Sequence, residues 1–375
     1  MSDTTAVPTV RSARGHRWPA FDGVRALAVL AVMTFHADYP TFLKGGYVGV
    51  DVFFVLSGFL ITWLLTAEHD KFDGISYRKF YSRRAFRLFP ALVALIIGAV
   101  VLVLADGGLA NERHLTLVGL PFVILYIGNW KVAFGSVVTL GLLSITWSLA
   151  IEEQYYILWP LGLTALLRRM SRQRIALLLA AAAIAEQLVR AILGFSNSVY
   201  LNGWIDKSTL THTDGLLLGS ALALWWSERL GSRIWHWIEQ NATLVSLGGL
   251  AVLALVELAG VSKLHTTDLW VTVAVYGTLL LLAGLVTGPA GPVSRVLAWR
   301  PLQWIGKRSY GMYLYHFGII LAVLTIHLPN HHVHFVRFVV EFAITFVVAA
   351  LSYRFIEQPF LVRKERLARI PAGTP

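Results

Sequence analysis

Residues 45–65 read GGYVGVDVFFVLSGFLITWLL, an apolar stretch with one charged residue, Asp51. A helix of this length and composition can cross the hydrocarbon core of a bilayer. Comparable stretches recur along the chain, and they predict an all-α, polytopic membrane protein. The ten predicted spans are 20–38, 46–66, 89–105, 145–167, 175–193, 211–227, 242–260, 269–287, 310–327 and 334–355.

The composition supports this fold class and excludes others. Hydrophobic residues make up 56% of the 375 residues, charged residues 14%, and the mean hydropathy is +0.64. The net charge is +11, but the basic residues lie in short loops between apolar stretches, so we expect no nucleic-acid partner. The absence of cysteine excludes disulfides, thiolate metal sites and a cysteine nucleophile.

The distribution of Lys and Arg predicts the orientation of the spans. With the N-terminus inside, the inner segments hold 23 of these residues and the outer segments hold five. Cytoplasmic loops carry such an excess, so we expect both termini in the cytoplasm. We therefore predict cytoplasmic tails at 1–18 and 361–375 around one membrane domain, 19–360.

One stretch does not fit the count of spans. Residues 117–131 are apolar enough for a short span, but counting them would place the basic cluster at 168–174 outside. We therefore interpret 106–144 as an outer segment that is re-entrant or interfacial, with its backbone buried in protein.

The first predicted helix carries polar residues that need a reason to lie in lipid. Arg25 and His36 are eleven residues apart, which places them on one helix face, with Asp22 on the same stripe. Their separation along the helix is roughly 16 Å. A snorkelling arginine and a hydrogen-bonded core histidine are the structural alternative. As a functional pair, Arg25 and His36 predict a polar path along this helix face through the membrane, with His36 toward its outer end.

Two carboxylates at a similar depth favour acid–base chemistry. Asp51 lies about one turn into the second span, and Glu152 lies on a polar face of TWSLAIEEQYYILWP, 146–160. A carboxylate that holds an imidazole orients it as a general base, so we expect Asp51 or Glu152 to support His36. Helix capping by Asp51 and a structural hydrogen-bond network at Glu152 remain alternatives.

The inner side carries arginines next to a predicted helix start at Phe89-Pro90. Arg84 and Arg87 are three residues apart and share a face, which suits bidentate binding of phosphate. The positive-inside rule alone is the alternative explanation.

Six stretches, in this order, resemble the integral-membrane acyltransferase-3 family from Phe21 to Phe360. They are FDGVRALAVLAVMTFHA (21–37), GGYVGVDVFFVLSGFLIT (45–62), YSRRAFRLFP (81–90), TWSLAIEEQYYILWP (146–160), IGKRSYGMYLYHF (305–317) and SYRFIEQPF (352–360). The sixth span departs from the family: many members read T-R-x-D there, whereas this chain reads Thr211-His212-Thr213-Asp214.

The resemblance implies a multi-pass protein of the bacterial cytoplasmic (inner) membrane that transfers an acyl group, most simply acetyl, from acyl-CoA to a hydroxyl. The implied acceptor is a surface saccharide such as a polysaccharide or lipopolysaccharide. We expect three groups of site residues. The catalytic residues are His36, Asp51 and Glu152; the residues that bind the acyl donor are Arg25, Arg84, Arg87, Tyr310, His316 and Arg354; and the residues that bind the acceptor are Trp147, Glu153, His212 and Asp214.

Several alternatives stay open at this point. The acceptor could be a small-molecule natural product such as a macrolide, and transfer could be direct or pass through an acyl-histidine. A glycolipid transporter or flippase is the rival class, although no inverted repeat is found in the sequence. We expect no metal: the histidines His327, His331, His332 and His334 lack a carboxylate partner in the sequence.

Overall fold

The computed structural model describes residues 18–40, 42–134, 140–194, 207–228, 232–259, 264–325 and 333–362. Within these residues the chain is helical, without strands, as predicted. The α-helices are α1 (Pro19–Ala37), α2 (Gly49–Phe72), α3 (Tyr77–Ala105), α4 (Ala110–Ile124), α5 (Gly128–Phe134), α6 (Thr146–Leu167), α7 (Arg172–Gly194), α8 (Asp214–Ser227), α9 (Arg233–Gln240), α10 (Ala242–Ala259), α11 (Leu264–Thr287), α12 (Pro292–Leu297), α13 (Arg300–Leu324) and α14 (Val333–Ser352).

Each predicted span overlaps one of these helices, although α3 and α13 begin 12 and 10 residues before the predicted spans. Seven helices in the described part of the chain are long and apolar enough to cross a membrane: α1, α2, α3, α7, α10, α11 and α14 with its continuation to Val362. The other three predicted spans correspond to α6, α8 and α13, which are shorter or carry more polar residues. The protein is therefore a polytopic all-α membrane protein, and the count of ten spans and the cytoplasmic termini stay predictions.

Helix α1 lies at the centre of the packing. It runs along α13 and also contacts α2, while α2 packs along α8 and α8 packs on α7. Small residues allow these close approaches: a Cβ atom at Gly58 of α2 would lie 2.1 Å from the carbonyl oxygen of Leu216 in α8. The exposed side of α1 carries Leu27 and Phe35, so Arg25 and His36 face the protein interior.

The start of α3 differs from the prediction. The helix begins at Tyr77 and continues through Pro90, so Arg84 and Arg87 lie inside a continuous helix of 29 residues, not beside a helix start. A proline ring removes one backbone hydrogen bond of the preceding turn, and here the packing of the buried Leu88 and Ala91 maintains the helix.

The outer segment 106–144 folds as α4 and α5, followed by a short 3₁₀ turn at Gly141–Leu143. The turn is buried: Leu140, Leu142 and Leu143 pack in the same core as α3 and α13. The hydroxyl of Thr116 in α4 accepts a hydrogen bond from the backbone N–H of Leu142 at 3.1 Å. The backbone of the turn is thus satisfied by protein, as expected, and its depth in the bilayer stays a prediction.

Candidate active site

Two histidine rings meet near the C-terminal end of α1. Nε2 of His316, from α13, lies 3.2 Å from Nδ1 of His36, and the ring centroids are 5.0 Å apart. His316 is fully buried, whereas His36 is half-buried. His316, which we expected among the donor-binding residues, is therefore the direct neighbour of the predicted base.

Two backbone carbonyl groups determine the tautomers of this pair. Nδ1 of His316 lies 2.6 Å from the carbonyl oxygen of Tyr313, and Nδ1 of His36 lies 2.9 Å from that of Val32. Because a carbonyl oxygen only accepts, we assign the hydrogen to Nδ1 in both rings. Nε2 of His316 then accepts from His36, and the lone pair of His36 stays on its own Nε2. That form of imidazole can act as a general base.

Asp51 does not contact His36. Its Oδ1 lies 2.9 Å from Nε2 of His212, and both side chains are almost fully buried. The physical reason is the packing: Asp51 faces the segment that leads into α8, while His36 faces α13. The expected pairing of Asp51 with His36 is thus replaced by a second carboxylate–imidazole pair.

Glu152 has partners of its own. Its Oε1 accepts hydrogen bonds from the hydroxyl groups of Ser57, at 2.5 Å, and Tyr156, at 2.6 Å. Tyr156 lies one helical turn after Glu152, on the polar face that helical spacing predicts for Glu152 and either Tyr155 or Tyr156. Sequence reasoning missed the other donor, Ser57. Since His36, Asp51 and Glu152 each bind a different residue, the structure does not join them in one hydrogen-bonded triad.

Arg84 and Glu153 form a fork-shaped ion pair. Nε of Arg84 lies 3.0 and 3.1 Å from the two carboxylate oxygens, and one of its terminal nitrogens lies 2.5 Å from Oε1. The guanidinium also lies over the ring of Tyr156. Glu153 occupies Nε and one terminal nitrogen of Arg84, which leaves the other terminal nitrogen without a partner among the described residues. The expected roles of Arg84 in donor binding and of Glu153 in acceptor binding stay predictions. The helix face that Arg84 shares with Arg87 does not reveal that a second helix, α6, supplies the carboxylate partner.

Arg25 and Arg87 form a candidate anion site, which we call the arginine site. Arg25 is half-buried and lies 3.4 Å from Asp22. It is also within electrostatic reach of Arg87 and Glu152. Arg87 is exposed and forms no ion pair with any residue that the structure describes. Two guanidinium groups that repel each other attract an anion such as phosphate between them.

The other predicted donor-binding residues lie apart from one another. The hydroxyl of Tyr310 donates to the carbonyl oxygen of Leu88 at 3.1 Å, next to Arg87 in the sequence of α3. Arg354 is exposed in the π-helical turn Tyr353–Glu357 that continues α14, and its guanidinium packs over Phe355. The structure thus brings Tyr310 toward the arginine site and leaves Arg354 at the surface.

Asp214 is occupied within the fold. Arg190 of α7 donates to both of its carboxylate oxygens, at 3.0 and 2.9 Å, and Gln187 donates at 2.9 Å. Both members of the ion pair are 1% exposed, so an acceptor does not reach them. We therefore correct the expected acceptor role: Asp214 joins α7 to α8. The spacing of residues within 211–214 does not reveal a partner that lies 24 positions away on another helix.

Sequence reasoning also missed a link between α6 and α13. The hydroxyl of Tyr313 lies 2.5 Å from that of Ser148 and 3.2 Å from the carbonyl oxygen of Ile145. Tyr313 is the residue whose carbonyl oxygen holds His316. The sequence feature that could have indicated this role is the position of Tyr313, three residues before His316 on the same helix.

Among the described residues, no group of three or more His, Cys, Asp or Glu could hold a metal ion. Three of the four histidines in the outer patch, His327, His331 and His332, lie outside the described residues.

Comparisons with known proteins identify the family of the chain. A family model described as an acyltransferase domain matches residues 18–354. The chain is 33% identical over 361 residues to the peptidoglycan O-acetyltransferase OatA of Listeria monocytogenes, covering 91% of this chain and 55% of that protein. It is 32% identical over 365 residues to the O-acetyltransferase OatA of Staphylococcus aureus, covering 92% and 57%. The chain thus spans little more than half the length of these relatives, and no solved structure matches it.

Proposed function

Because the chain belongs to the acyltransferase-3 family, we propose that it is a membrane O-acyltransferase that moves an acyl group, most simply acetyl, from acyl-CoA to a hydroxyl of a saccharide or glycoconjugate. The observation that carries this proposal is the His36–His316 pair, which leaves a lone pair on Nε2 of a half-buried imidazole. The names of the relatives, which are O-acetyltransferases, support the reaction class.

The chemistry follows from that lone pair. Nε2 of His36 removes the proton of the acceptor hydroxyl as its oxygen attacks the thioester carbonyl carbon. The new C–O bond forms, the C–S bond breaks, and the imidazolium returns the proton to the leaving thiolate. His316 and the carbonyl oxygen of Val32 keep the ring oriented through its Nδ1–H.

The opposite end of α1 suits the nucleotide part of the donor. Arg25 and Arg87 supply two guanidinium groups for phosphate, and the helical rise separates Arg25 from His36 by roughly 16 Å. An extended donor lying along α1 would therefore have its phosphates at the arginines and its thioester at His36. With the predicted orientation, the donor enters from the cytoplasm of a bacterial inner membrane.

A saccharide hydroxyl is the acceptor that the relatives favour, because one of them is named a peptidoglycan O-acetyltransferase. We therefore propose peptidoglycan-type saccharides as the first acceptors to test, with lipopolysaccharide-type saccharides second. A small-molecule natural product such as a macrolide is the alternative acceptor.

The test is transfer of labelled acetyl from acetyl-CoA to peptidoglycan fragments by the purified protein in lipid nanodiscs. We expect the wild type to label the saccharide and His36→Ala to lose about 10²- to 10⁴-fold of the rate. The matched control is His114→Ala, which removes an exposed histidine of the outer segment. A folded His36→Ala variant with full activity would refute the proposed base.

The same purified protein in nanodiscs or vesicles distinguishes an acyltransferase from the rival class, a glycolipid transporter or flippase. A transporter or flippase would move a labelled glycolipid across a vesicle membrane without consuming acetyl-CoA. Acetyl transfer that depends on His36 excludes that function as the primary one.

A further inference from the structure

Among the described residues, the half-buried Lys207 lies beside an aromatic ring. Nζ of Lys207 lies 3.9 Å from the ring of Trp147, and the residue forms no ion pair within the described part of the chain. A cation over an indole face is held in place but keeps its charge. Lys207 is therefore an ammonium group that is positioned and still able to bind an anion.

The imidazole of His212 offers a second unused group on the same tryptophan. Its ring centroid lies 5.4 Å from that of Trp147, and the residue is only 6% exposed. Nε2 faces the carboxylate of Asp51, which only accepts, so Nε2 carries a hydrogen. Nδ1 is buried without a hydrogen-bond partner among the described residues. A hydroxyl group would satisfy it in either charge state of the ring, because a hydroxyl both donates and accepts.

These groups are connected to the proposed base. Trp147 precedes Ser148, whose hydroxyl bonds to Tyr313, and the carbonyl oxygen of Tyr313 holds His316. The charge of Lys207 is also within electrostatic reach of His36. A positive charge there opposes the imidazolium that forms when His36 takes a proton.

We propose that Lys207, Trp147 and His212 form the acceptor subsite and select a saccharide that carries a carboxylate. The ammonium of Lys207 binds the carboxylate, and Nδ1 of His212 forms a hydrogen bond with a neighbouring hydroxyl. The bound carboxylate offsets the charge of Lys207, so the correct acceptor also makes proton uptake by His36 easier. This inference rests on the proposed acyl transfer and adds the class of acceptor.

The experiment compares two disaccharide acceptors with the same hydroxyls, one with a free 3-O-lactyl carboxylate and one with the primary amide in its place. Transfer from labelled acetyl-CoA is measured for the full chain in nanodiscs. We expect the wild type to prefer the carboxylate by about tenfold or more in kcat/KM. Lys207→Met should abolish this preference: the value for the carboxylate falls, and the value for the amide is unchanged or rises because the charge that opposes the imidazolium is gone. Lys207→Arg should retain the preference.

The matched control is Lys131→Met, because Lys131 also lies over an aromatic ring, that of Phe122, at 4.4 Å. It should leave the preference unchanged. Equal use of both acceptors by the wild type, or an equal loss on both in Lys207→Met, would overturn the inference while acyl transfer stands. Transfer to neither acceptor would count against the proposed function itself.

Discussion

Hydrogen bonds to backbone carbonyl groups decide which nitrogen of each histidine in the pair carries the proton. Tyr313 fixes His316, and His316 together with Val32 fixes His36. A base that is oriented in this way does not need a carboxylate next to it. At the scale of single residues, His316 is thus a positioning residue for His36.

His316→Gln should lower kcat/KM by about 10²-fold, because the ring of His36 loses one of the two acceptors that orient its Nδ1–H and keeps only the carbonyl oxygen of Val32. The His36→Ala/His316→Ala double variant should be no slower than His36→Ala alone, since residues that act as a unit are not additive. Steady-state kinetics of the wild type, the two single alanine variants and the double variant form the cycle. Independent, multiplying losses would contradict the assignment.

Arg87 and Arg84 should respond differently to the same substitution. Arg87→Gln removes a guanidinium without an ion-pair partner among the described residues, so we expect KM for acetyl-CoA to rise with little change in thermal stability. Arg84→Gln leaves the buried carboxylate of Glu153 without its partner, which costs about 3–5 kcal/mol of unfolding free energy.

Thermal unfolding in nanodiscs and titration of acetyl-CoA measure the two effects separately. The reverse pattern, with Arg84→Gln stable and weak in donor binding, would support the phosphate-binding role that the sequence predicts for Arg84.

At the scale of helices, the sequence predicts where the helices lie along the chain better than it predicts which residues of different helices contact each other. Apolar length locates the C-terminal end of most spans within a few residues, but α3 and α13 begin 12 and 10 residues before the predicted spans because their first turns are polar. Helical periodicity places Arg25 and His36 on one inward face. Periodicity does not say which helix lies opposite that face. His36 pairs with a residue 280 positions away, and Asp51 with one 161 positions away. These pairings required the structure.

Gly58 should be essential to the contact between α2 and α8. A Cβ atom there would overlap the carbonyl oxygen of Leu216, and backbone of a packed helix does not yield easily. We expect Gly58→Ala to lower the unfolding free energy by about 1–3 kcal/mol or more. Gly98→Ala in α3 is the control, because a Cβ atom at Gly98 meets nothing within 4 Å. Equal melting temperatures for both variants would contradict this close approach of α2 and α8.

At the scale of the whole molecule, the bias of Lys and Arg predicts which side each loop faces. The chain has no cysteine, so single cysteines can be introduced without a background. Asn111→Cys, in the outer segment, should react with a membrane-impermeant maleimide in intact cells. Asp73→Cys, between α2 and α3, should react only after permeabilisation. Both residues are exposed, so access depends on the side of the membrane. Labelling in the opposite order would reverse the topology.

Because Arg25 and His36 lie on one continuous helix, α1 fixes both the distance between them and their relative direction around the helix axis. Inserting a residue between them would lengthen the span by only about 1.5 Å but would turn His36 by about 100° around the axis. The two ends would then be out of phase, although every side chain of the site would still be present. If the donor binds as proposed, the distance between Arg25 and His36 on this one helix sets the length of donor that fits the site.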